Sequence, residues 1–168
     1  MKSVKLINFT DLSLDKKKMV LEWRNHIDVS KFMYSSNKIP LKKHLQYIEN
    51  LKTDNNNVYF LVTFKDKGIG VVYFNHISFK AKEAFFGLYA NPFEKITGVG
   101  SILEEICIKY AFDILKLIKL KLEVFSDNNK AINLYKKFNF KETSKKTVND
   151  RDVICMELIK SNILKDLI

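Results

Sequence analysis

A short segment with two glycines, Lys95-Ile-Thr-Gly98-Val-Gly100-Ser101, is well suited to bind an anion. It lies between an apolar run, residues 85–89, and a long periodic segment, residues 101–115, so the pattern predicts a strand, a tight loop and a helix. The first amides of a helix lack partners within the helix, and glycine allows a ligand close to the main chain. The segment therefore predicts a pyrophosphate site, with a plain strand-to-helix turn as the alternative.

A second segment, residues 128–140, follows about 30 residues after the two glycines and is preceded by an alternating strand pattern. Its helical periodicity places four residues on one face: Ala131, Leu134, Tyr135 and Phe138. A tyrosine has an ordinary pKa of about 10, so it is protonated at neutral pH and can donate a proton to a leaving group. Tyr135 is therefore a candidate general acid, and packing on the apolar face is the alternative.

Together the two segments resemble the acetyl-coenzyme A motifs of the GNAT family of N-acetyltransferases. The first motif, Gln/Arg-x-x-Gly-x-Gly/Ala, is matched by Lys95, Gly98 and Gly100, with Lys in place of Gln or Arg. The second, Asn-x-x-Ala-x-x-Leu-Tyr-x-x-x-Gly-Phe, is matched by Asn128, Ala131, Leu134, Tyr135 and Phe140, with Asn139 where Gly is usual. The resemblance implies one α/β domain, residues 1–168, with a mixed central sheet of about seven strands and four helices. It also implies that the fourth and fifth strands splay apart around the acetyl-pantetheine arm.

The resemblance further implies acetyl-CoA as co-substrate and no metal. The backbone of Leu88 and Tyr89 is expected to pair with the pantetheine. Six residues are expected to hold the pyrophosphate: Ile96, Thr97, Gly98, Val99, Gly100 and Ser101. Asn128 and Tyr135 are expected to contact the cofactor arm, and a helix cap is the alternative for Asn128.

N-acetyl transfer needs a neutral amine, a polarised thioester carbonyl and an acid for the departing thiolate. Tyr135 occupies the family position of that acid, and the thiol it would protonate has an ordinary pKa of about 8.5. Glu123 lies in a Leu-Glu-Val strand similar to that of ribosomal-protein N-terminal acetyltransferases, which implies a general base acting directly or through water. A solvated carboxylate is the alternative. His44 and His76 are further candidates.

The front half contains Trp23-Arg24-Asn25, followed by Phe32-Met33-Tyr34 and the helix with His44. On these residues, the region from about residue 12 to residue 135 resembles the nucleotide-sugar N-acetyltransferases of pseudaminic acid synthesis, which acetylate the 4-amino group of a UDP-linked amino-dideoxy sugar for flagellin glycans. This resemblance implies an acceptor pocket lined by Arg24, Met33, Tyr34, His44, Asn75, His76 and Tyr89. An arginine can bind a diphosphate bidentately, and aromatic rings can stack on uracil and sugar. Core packing between two helices is the alternative for Trp23, Met33 and Tyr34.

Two other functions compete with this interpretation. A ribosomal-protein or other protein N-terminal acetyltransferase is favoured by the Leu-Glu-Val strand but not by the front half of the chain. A basic binding module could keep the fold without turnover. The oligomeric state, monomer or dimer, and the exact sugar stay open.

Composition narrows the class of protein. The chain has a formal charge of +10, but only Arg24 and Arg151 are arginines and the lysines are spread throughout, which argues against nucleic-acid binding. The excess charge could steer anionic substrates. Cys107 and Cys155 lie in apolar segments without metal spacing, so we expect buried thiols. There is no spanning apolar stretch or signal pattern, which predicts a soluble cytoplasmic protein with no membrane partner.

Periodicity also predicts the elements that must position these residues. Helices are expected at residues 14–25, from Pro40 onwards, from about residue 99 and at residues 129–138, and the third of these should carry an apolar stripe of Val99, Leu103, Ile106 and Tyr110. Strands are expected at residues 4–9, 58–64, 69–79, 83–89, 120–125, 140–143 and 153–159. We also expect a turn at residues 66–68, a bulge at Gly70 and an amphipathic tail from Ser161 with four apolar positions: Ile163, Leu164, Leu167 and Ile168.

Overall fold

A seven-stranded mixed sheet forms the centre of the protein, seen in a computed structural model that describes residues 4–165. The strands are β1 (Val4–Asn8), β2 (Val58–Phe64), β3 (Lys67–Ser78), β4 (Glu83–Ala90), β5 (Lys119–Phe125), β6 (Lys141–Val148) and β7 (Arg151–Ile159). Their order is β1-β2-β3-β4-β5-β7-β6, and only β4 and β5 are parallel. The α/β fold predicted from the sequence is confirmed.

Six α-helices accompany the sheet within the described residues. They are α1 (Leu14–Asn25), α2 (Ile27–Ser30), α3 (Leu41–Leu51), α4 (Val99–Lys109), α5 (Asn129–Lys137) and α6 (Lys160–Lys165). Four of them, α1, α3, α4 and α5, are long, as expected. None of the six has the length and apolar character needed to cross a bilayer.

Helices pack on both faces of the sheet. Side chains alternate along each strand, so each face has its own set of side chains for the helices to cover. Leu61 and Val71 point to the face covered by α1 and α3, where they join Trp23 and Ile48 in one buried cluster. A second, larger cluster lies on the other face under α4 and α5. Trp23 is therefore a core residue, as the packing alternative proposed.

Two strand boundaries and the position of a predicted bulge differ from the sequence prediction. Lys65 and Asp66 both have positive φ and form the β2–β3 turn, so Lys67 and Gly68 belong to β3 instead of the turn. The register of β2 and β3 shifts between Val62, which pairs with Gly70, and Thr63, which pairs with Gly68, whereas the sequence predicted a bulge at Gly70 itself. β6 extends to Val148, beyond the predicted end at residue 143, because an exposed edge strand can be polar on both faces and then shows no apolar alternation.

Helix α4 also differs from its predicted pattern. It ends at Lys109 and continues as a π-helical segment, Tyr110–Ile114. Its buried residues are Leu103, Glu104 and Cys107, whereas Val99, Ile106 and Tyr110 are only partly buried. A glutamate thus occupies the centre of the buried face. In the tail, Ile163 packs against the larger cluster, and Leu167 and Ile168 lie outside the described residues.

Candidate active site

The site begins where β4 and β5 separate. The two strands pair at only three positions, Glu83–Lys119, Ala84–Leu120 and Phe85–Lys121. Both strands then continue, to Ala90 and Phe125 respectively, without pairing to each other. The edge of β4 that faces β5 is therefore open from Phe86 onwards, and the divergence expected from the family resemblance is present.

The N-terminus of α4 presents free amides beside this gap. Gly98 is the N-cap residue with φ of 75°, a left-handed conformation that favours glycine, and no side chain caps the helix. Within residues 4–165 the amides of Gly100 and Ser101 have no acceptor, whereas Ile102 N–H donates to the Gly98 carbonyl at 3.2 Å. Such amides at a helix N-terminus suit an anion.

The two glycines of this segment meet different surroundings. A Cβ at Gly98 would have no neighbour within 4 Å, so the chain is open to solvent there. A Cβ at Gly100 would lie 3.4 Å from Leu134 Cδ2, so Gly100 faces α5. The sequence interpretation gave both glycines the same role of admitting a ligand, and the structure supports that reason at Gly98 and a packing reason at Gly100.

A lysine that the motifs did not predict adds positive charge at the same place. Lys137, on α5, lies with its Nζ 3.5 Å from Ser101 Oγ at the start of α4. Free amides and an ammonium group fit the diphosphate of acetyl-CoA. Lys137 could not be recognised from the sequence, because its relation to Ser101 depends on the packing of α5 against α4.

Tyr135 lies on the α4 and α5 side of the gap. It is 7% exposed, and its ring contacts Phe86 of β4 and Phe140 edge-on. Burial, followed by the nearby charge of Glu104, raises the pKa of the phenol well above its ordinary value. Tyr135 is therefore fully protonated at neutral pH, as a general acid must be.

The ends of α5 explain two features of the second motif. Asn128 Oδ1 accepts a hydrogen bond from Ala131 N–H at 3.3 Å, so Asn128 caps the helix and its amide nitrogen remains for any contact with the cofactor. Asn139 has φ of 67° just after the helix ends. Glycine is usual at such a position and asparagine is tolerated, which accounts for the departure from the family pattern.

Glu123 lies on β5 and is held by two partners. Lys146 Nζ of β6 donates to Glu123 Oε1 at 2.7 Å, and the Tyr34 hydroxyl donates to Oε2. Burial alone would raise the pKa of Glu123, but these two hydrogen bonds outweigh it and the pKa is lowered. Glu123 is thus an anion at neutral pH and intrinsically a weak base, and its role as general base stays a prediction.

The segment that carries Tyr34 is hydrogen-bonded to the β6–β7 hairpin. Asn149 Nδ2 donates to the Tyr34 carbonyl at 2.8 Å, and Arg151 Nη1 donates to the Lys31 carbonyl at 2.8 Å. The Arg151 guanidinium also lies 3.5 Å from the centre of the Phe125 ring, and the Tyr34 ring contacts Phe125 edge-on. Tyr34 is 45% exposed, so core packing does not explain it.

Arg24 and three tyrosines form the adjoining part of this face. Arg24 Nη2 donates to the Ser35 carbonyl at 2.8 Å, while Nη1 is buried and has no partner within the described residues. Burial raises the pKa values of Tyr73 and Tyr89, and the positive charge of Arg24 partly offsets this rise. Tyr73 stacks on Tyr59 with a ring separation of 4.8 Å.

Tyr73 was not predicted from the sequence, and Gly87 explains its position. A Cβ built at Gly87 would lie 2.2 Å from the Tyr73 Oη, so only glycine allows the phenol to lie over β4. Gly87 is in the part of β4 that faces the gap. The hydroxyl of Tyr73 is therefore placed beside the region where the strands diverge.

Four other predicted acceptor residues have different surroundings. His44 is buried between α1 and α3, and its Nε2 lies 2.9 Å from the Lys17 carbonyl, so it does not join Tyr34 and Glu123. Asn75 Nδ2 donates to Asn57 Oδ1 at 2.9 Å. His76 is exposed with positive φ and contacts Phe85, and Met33 is half-buried. Their contacts with substrate stay predictions.

The described residues do not form a group of three or more His, Cys, Asp or Glu side chains that could hold a metal ion. Cys107 is buried and Cys155 half-buried, and both are free thiols.

Known proteins resemble this chain in sequence and in fold. The model of the acetyltransferase (GNAT) family matches residues 20–140. Acetyltransferase PseH of Campylobacter jejuni serotype O:2 is 43% identical over 149 residues, covering 89% of this chain and 88% of that protein. PseH of C. jejuni serotype O:23/36 is 41% identical over the same shares.

Solved structures agree with this relation. The crystal structure of C. jejuni N-acetyltransferase PseH in complex with acetyl coenzyme A has a TM-score of 0.76 and 34% identity, and covers 94% of this chain and 99% of that one. Spermidine N-acetyltransferase from Vibrio cholerae has a TM-score of 0.87, covering 98% and 99%, but at 22% identity this likeness concerns the fold alone.

The predictions of an N-acetyltransferase and of acetyl-CoA as its co-substrate are confirmed by the family match and these relatives. The chain also has a divergent strand pair, free amides at the start of α4 and a buried phenol at Tyr135. The chain belongs to the acetyltransferase (GNAT) family.

Proposed function

We propose that the protein transfers the acetyl group of acetyl-CoA to the 4-amino group of a UDP-linked amino-dideoxy sugar, a step of pseudaminic acid synthesis for flagellin glycans. The observation that carries the proposal is the similarity to acetyltransferase PseH over nearly the whole chain, including the front half that supplies the acceptor face. The buried, unpartnered Arg24 Nη1 supports it independently, because a substrate phosphate would satisfy this donor.

The donor binds on the α4 and α5 side. Its diphosphate lies on the amides of residues 96–101 with Lys137 beside them, and its pantetheine arm runs along the open edge of β4 at Leu88 and Tyr89. The residues at the start of α4 provide main-chain hydrogen bonds, which do not depend on the acceptor. Asn128 contributes its amide nitrogen to the same arm.

The acceptor binds on the opposite face, among Arg24, Tyr34, Tyr73 and Tyr89. The amine attacks the thioester carbonyl directly, so that a C–N bond forms as the C–S bond breaks. Glu123 accepts a hydrogen bond from the amine, and the proton that the amine loses goes to water. Because the pKa of Glu123 is lowered, this carboxylate orients the amine and does not keep the proton that the amine releases. Met33, Asn75 and His76 complete the expected pocket. His44 has its Nε2 at the Lys17 carbonyl, so only its Nδ1 could contact the substrate.

Tyr135 provides the proton that the sulfur needs. A thiolate leaving group is stabilised when a neighbouring acid protonates it, and Tyr135 is protonated across the physiological range. Its ring is fixed between Phe86 and Phe140, so the hydroxyl has a defined position.

Protein N-terminal acetylation is the second candidate, and the Leu-Glu-Val strand favours it. In such an enzyme Glu123 would accept the proton of a peptide amine. Here Lys146 neutralises Glu123 and Arg24 adds a positive charge, an arrangement that suits an anionic nucleotide better than a cationic peptide N-terminus.

The test measures release of coenzyme A thiol with acetyl-CoA and two acceptors, a UDP-4-amino-4,6-dideoxy sugar and peptides with free N-termini. We expect release with the sugar and none above background with the peptides. Tyr135→Phe serves as the control for enzyme-catalysed release. Release with peptides but not with the sugar would favour the second candidate and overturn the first.

A further inference from the structure

Strand β3 carries a bulge close to its turn into β4. Asn75 pairs with Phe85, and the next pair is Ser78 with Glu83, so β3 has one more residue than β4 in this stretch. His76 lies in the bulge with φ of 51°, a left-handed conformation that is uncommon for residues other than glycine. A conformation of this kind persists when neighbouring groups hold it in place.

The bulge brings two consecutive side chains to the same face of the sheet. In a regular strand, neighbouring side chains point to opposite faces. Here Ile77 packs in the larger cluster under α4 and α5, whereas the His76 ring contacts Phe85, which is not in that cluster. Asn75 pairs with Phe85 and lies two residues after Tyr73, so it belongs to the acceptor face as well. Asn75 and His76 are therefore presented side by side.

The segment before β2 holds this bulge. Asn57 Oδ1 accepts hydrogen bonds from Asn75 Nδ2 at 2.9 Å and from His76 N–H at 3.3 Å. Beside it, Asn56 Nδ2 donates to the Ile77 carbonyl at 2.7 Å, and Ile77 N–H donates to the Asn56 carbonyl at 2.9 Å. Two consecutive residues thus bind the bulge, and the bonds of Asn57 are those that reach Asn75 and His76.

Asp54 fixes the orientation of the Asn57 amide. Asp54 Oδ2 accepts a hydrogen bond from Asn57 Nδ2 at 2.7 Å, and Asp54 Oδ1 accepts from the N–H groups of Asn56 and Asn57 at 2.7 and 3.1 Å. The side-chain hydrogen bond from Asn57 is the main cause that lowers the pKa of Asp54, so Asp54 is a carboxylate at neutral pH. Because a carboxylate only accepts hydrogen bonds, the amide nitrogen of Asn57 faces it and the amide oxygen faces the bulge.

The same contacts determine which atom Asn75 presents. Its Nδ2 donates to Asn57 Oδ1 and also to the Tyr59 hydroxyl at 3.3 Å, so both amide hydrogens are used. Tyr59 in turn stacks on Tyr73 of the acceptor face. Asn75 Oδ1 takes no part in these bonds and is left to accept a hydrogen bond from a hydroxyl or N–H group of the acceptor.

We propose that Asn57 is a positioning residue for the acceptor: its amide oxygen holds the β3 bulge that presents Asn75 and His76 to the polar groups of the substrate. This rests on the proposed function, in which both residues line the acceptor pocket. Asn57 acts through them and does not touch the substrate. The donor amides at the start of α4 belong to another segment, so acetyl-CoA binding does not depend on Asn57.

A packing role and the proposed role of Asn57 predict different results. Loss of its hydrogen bonds lowers the melting temperature in both cases. Only the proposed role separates the two KM values, because the acceptor pocket changes and the donor site does not. Exchange of the two partners tests the contact itself. In Asp54→Asn/Asn57→Asp an amide again faces a carboxylate, and the carboxylate at position 57 still accepts from Asn75 and His76.

The experiment compares the wild-type full chain with Asn57→Ala, Asn57→Asp, the exchanged double variant and the matched control Asn55→Ala. Asn55 is exposed and lies in the same segment. Steady-state kinetics give kcat and both KM values with acetyl-CoA and a UDP-4-amino-4,6-dideoxy sugar. We expect Asn57→Ala to raise the KM for the sugar by about tenfold, because hydrogen bonds that shape the pocket are lost, with the KM for acetyl-CoA within about twofold of wild type.

The other variants test the contact between Asn57 and Asp54. Asn57→Asp should also raise the KM for the sugar by about tenfold, because its carboxylate repels that of Asp54, whereas the exchanged double variant should return to within about threefold of wild type. Asn55→Ala should behave as wild type. An unchanged KM for the sugar in Asn57→Ala, or an equal rise of both KM values, would overturn the proposal.

A second measurement does not require turnover. Exchange of the His76 amide hydrogen with solvent is followed by NMR, and we expect Asn57→Ala to speed it by about fivefold or more, because the acceptor of that amide is removed. Unchanged exchange would overturn the proposal. If the wild type releases no thiol with the sugar but exchange quickens, the proposed function and the acceptor role of Asn57 fail, while its hold on the bulge stands. If the wild type acts on the sugar and Asn57→Ala has a normal KM, only the role of Asn57 fails.

Discussion

The proposed donor and acceptor sides of the gap are built in different ways. The donor side consists mainly of main-chain groups at the start of α4 and along β4, within one stretch of sequence. The acceptor side consists of side chains from α1, the segment after α2, β3, β5 and the β6–β7 hairpin, such as Arg24, Tyr73, Glu123 and Lys146. A main-chain site tolerates sequence change, whereas a side-chain site changes its substrate with a few substitutions.

Substitution of Tyr135 tests whether this residue is the acid that protonates the leaving thiolate between the donor and acceptor sides. We expect Tyr135→Phe to lower kcat by about ten- to a hundredfold, because a positioned acid is lost, while both KM values stay within about twofold. Steady-state kinetics with each substrate varied in turn give these values. Turnover close to wild type would remove the assignment of Tyr135.

Substitution of Arg24 tests the independence of the acceptor side. We expect Arg24→Ala to lower kcat/KM for the UDP-sugar by about ten- to a hundredfold, because a charged hydrogen bond contributes about 1.5–3 kcal/mol. The KM for acetyl-CoA should not change. An equal loss for the donor would show that the two sides are coupled through Arg24.

Substitution of Lys146 tests the role of Glu123 through the pH dependence of kcat/KM. In the wild type, hydrogen bonds from Lys146 and Tyr34 outweigh burial and lower the pKa of Glu123, so the carboxylate persists to lower pH. Lys146→Met removes one of these bonds, and the pKa rises. We expect the acidic limb of kcat/KM for the sugar to move to higher pH. Glu123→Gln should abolish that limb, and an unmoved limb in Lys146→Met would separate Glu123 from catalysis.

Substitution of Gly87 tests the placement of Tyr73. The Cβ of Gly87→Ala would lie 2.2 Å from the Tyr73 Oη, so we expect a loss of about 1–3 kcal/mol in the free energy of unfolding, measured with urea. Tyr73→Phe should not relieve the clash, because the ring carbon Cζ lies 2.3 Å from the same point. The double variant Gly87→Ala/Tyr73→Ala is the control that removes the clash. Unchanged stability of Gly87→Ala would contradict the packing.

The smallest effect is expected on the donor side. Lys137→Ala should raise the KM for acetyl-CoA by about two- to fivefold, since an exposed charge contributes up to about 1 kcal/mol, and the effect should shrink in high salt. The KM for the sugar should stay constant. Lys136→Ala, on the same helix, is the matched control.

The difference between a donor side made of main-chain groups and an acceptor side made of side chains also explains what could be predicted from the sequence. Helix α1 and strand β2 were predicted with their observed bounds, because their periodicity and capping signals are local. The donor segment was recognisable for the same reason. β6 was predicted too short, since a polar edge strand gives no alternation.

The acceptor side could be predicted only in part. Tyr34 and Glu123 were named from a resemblance, but Lys146, Tyr73 and Arg151 join them through contacts between distant segments, which no local pattern records. Glu104 was missed because the apolar stripe predicted for α4 was centred on other positions. Its burial becomes visible only when α5 and the sheet are in place.

The attachment of residues 31–35 to the β6–β7 hairpin has an evolutionary consequence. Asn149 and Arg151 hold the Lys31 and Tyr34 carbonyls, so the hairpin and this segment form a single cover over the acceptor face. New acceptor preferences can then arise through exchanges in the hairpin, more than a hundred residues along the chain from the segment it anchors. Selection could thereby diversify the acceptor while acetyl-CoA recognition stays intact.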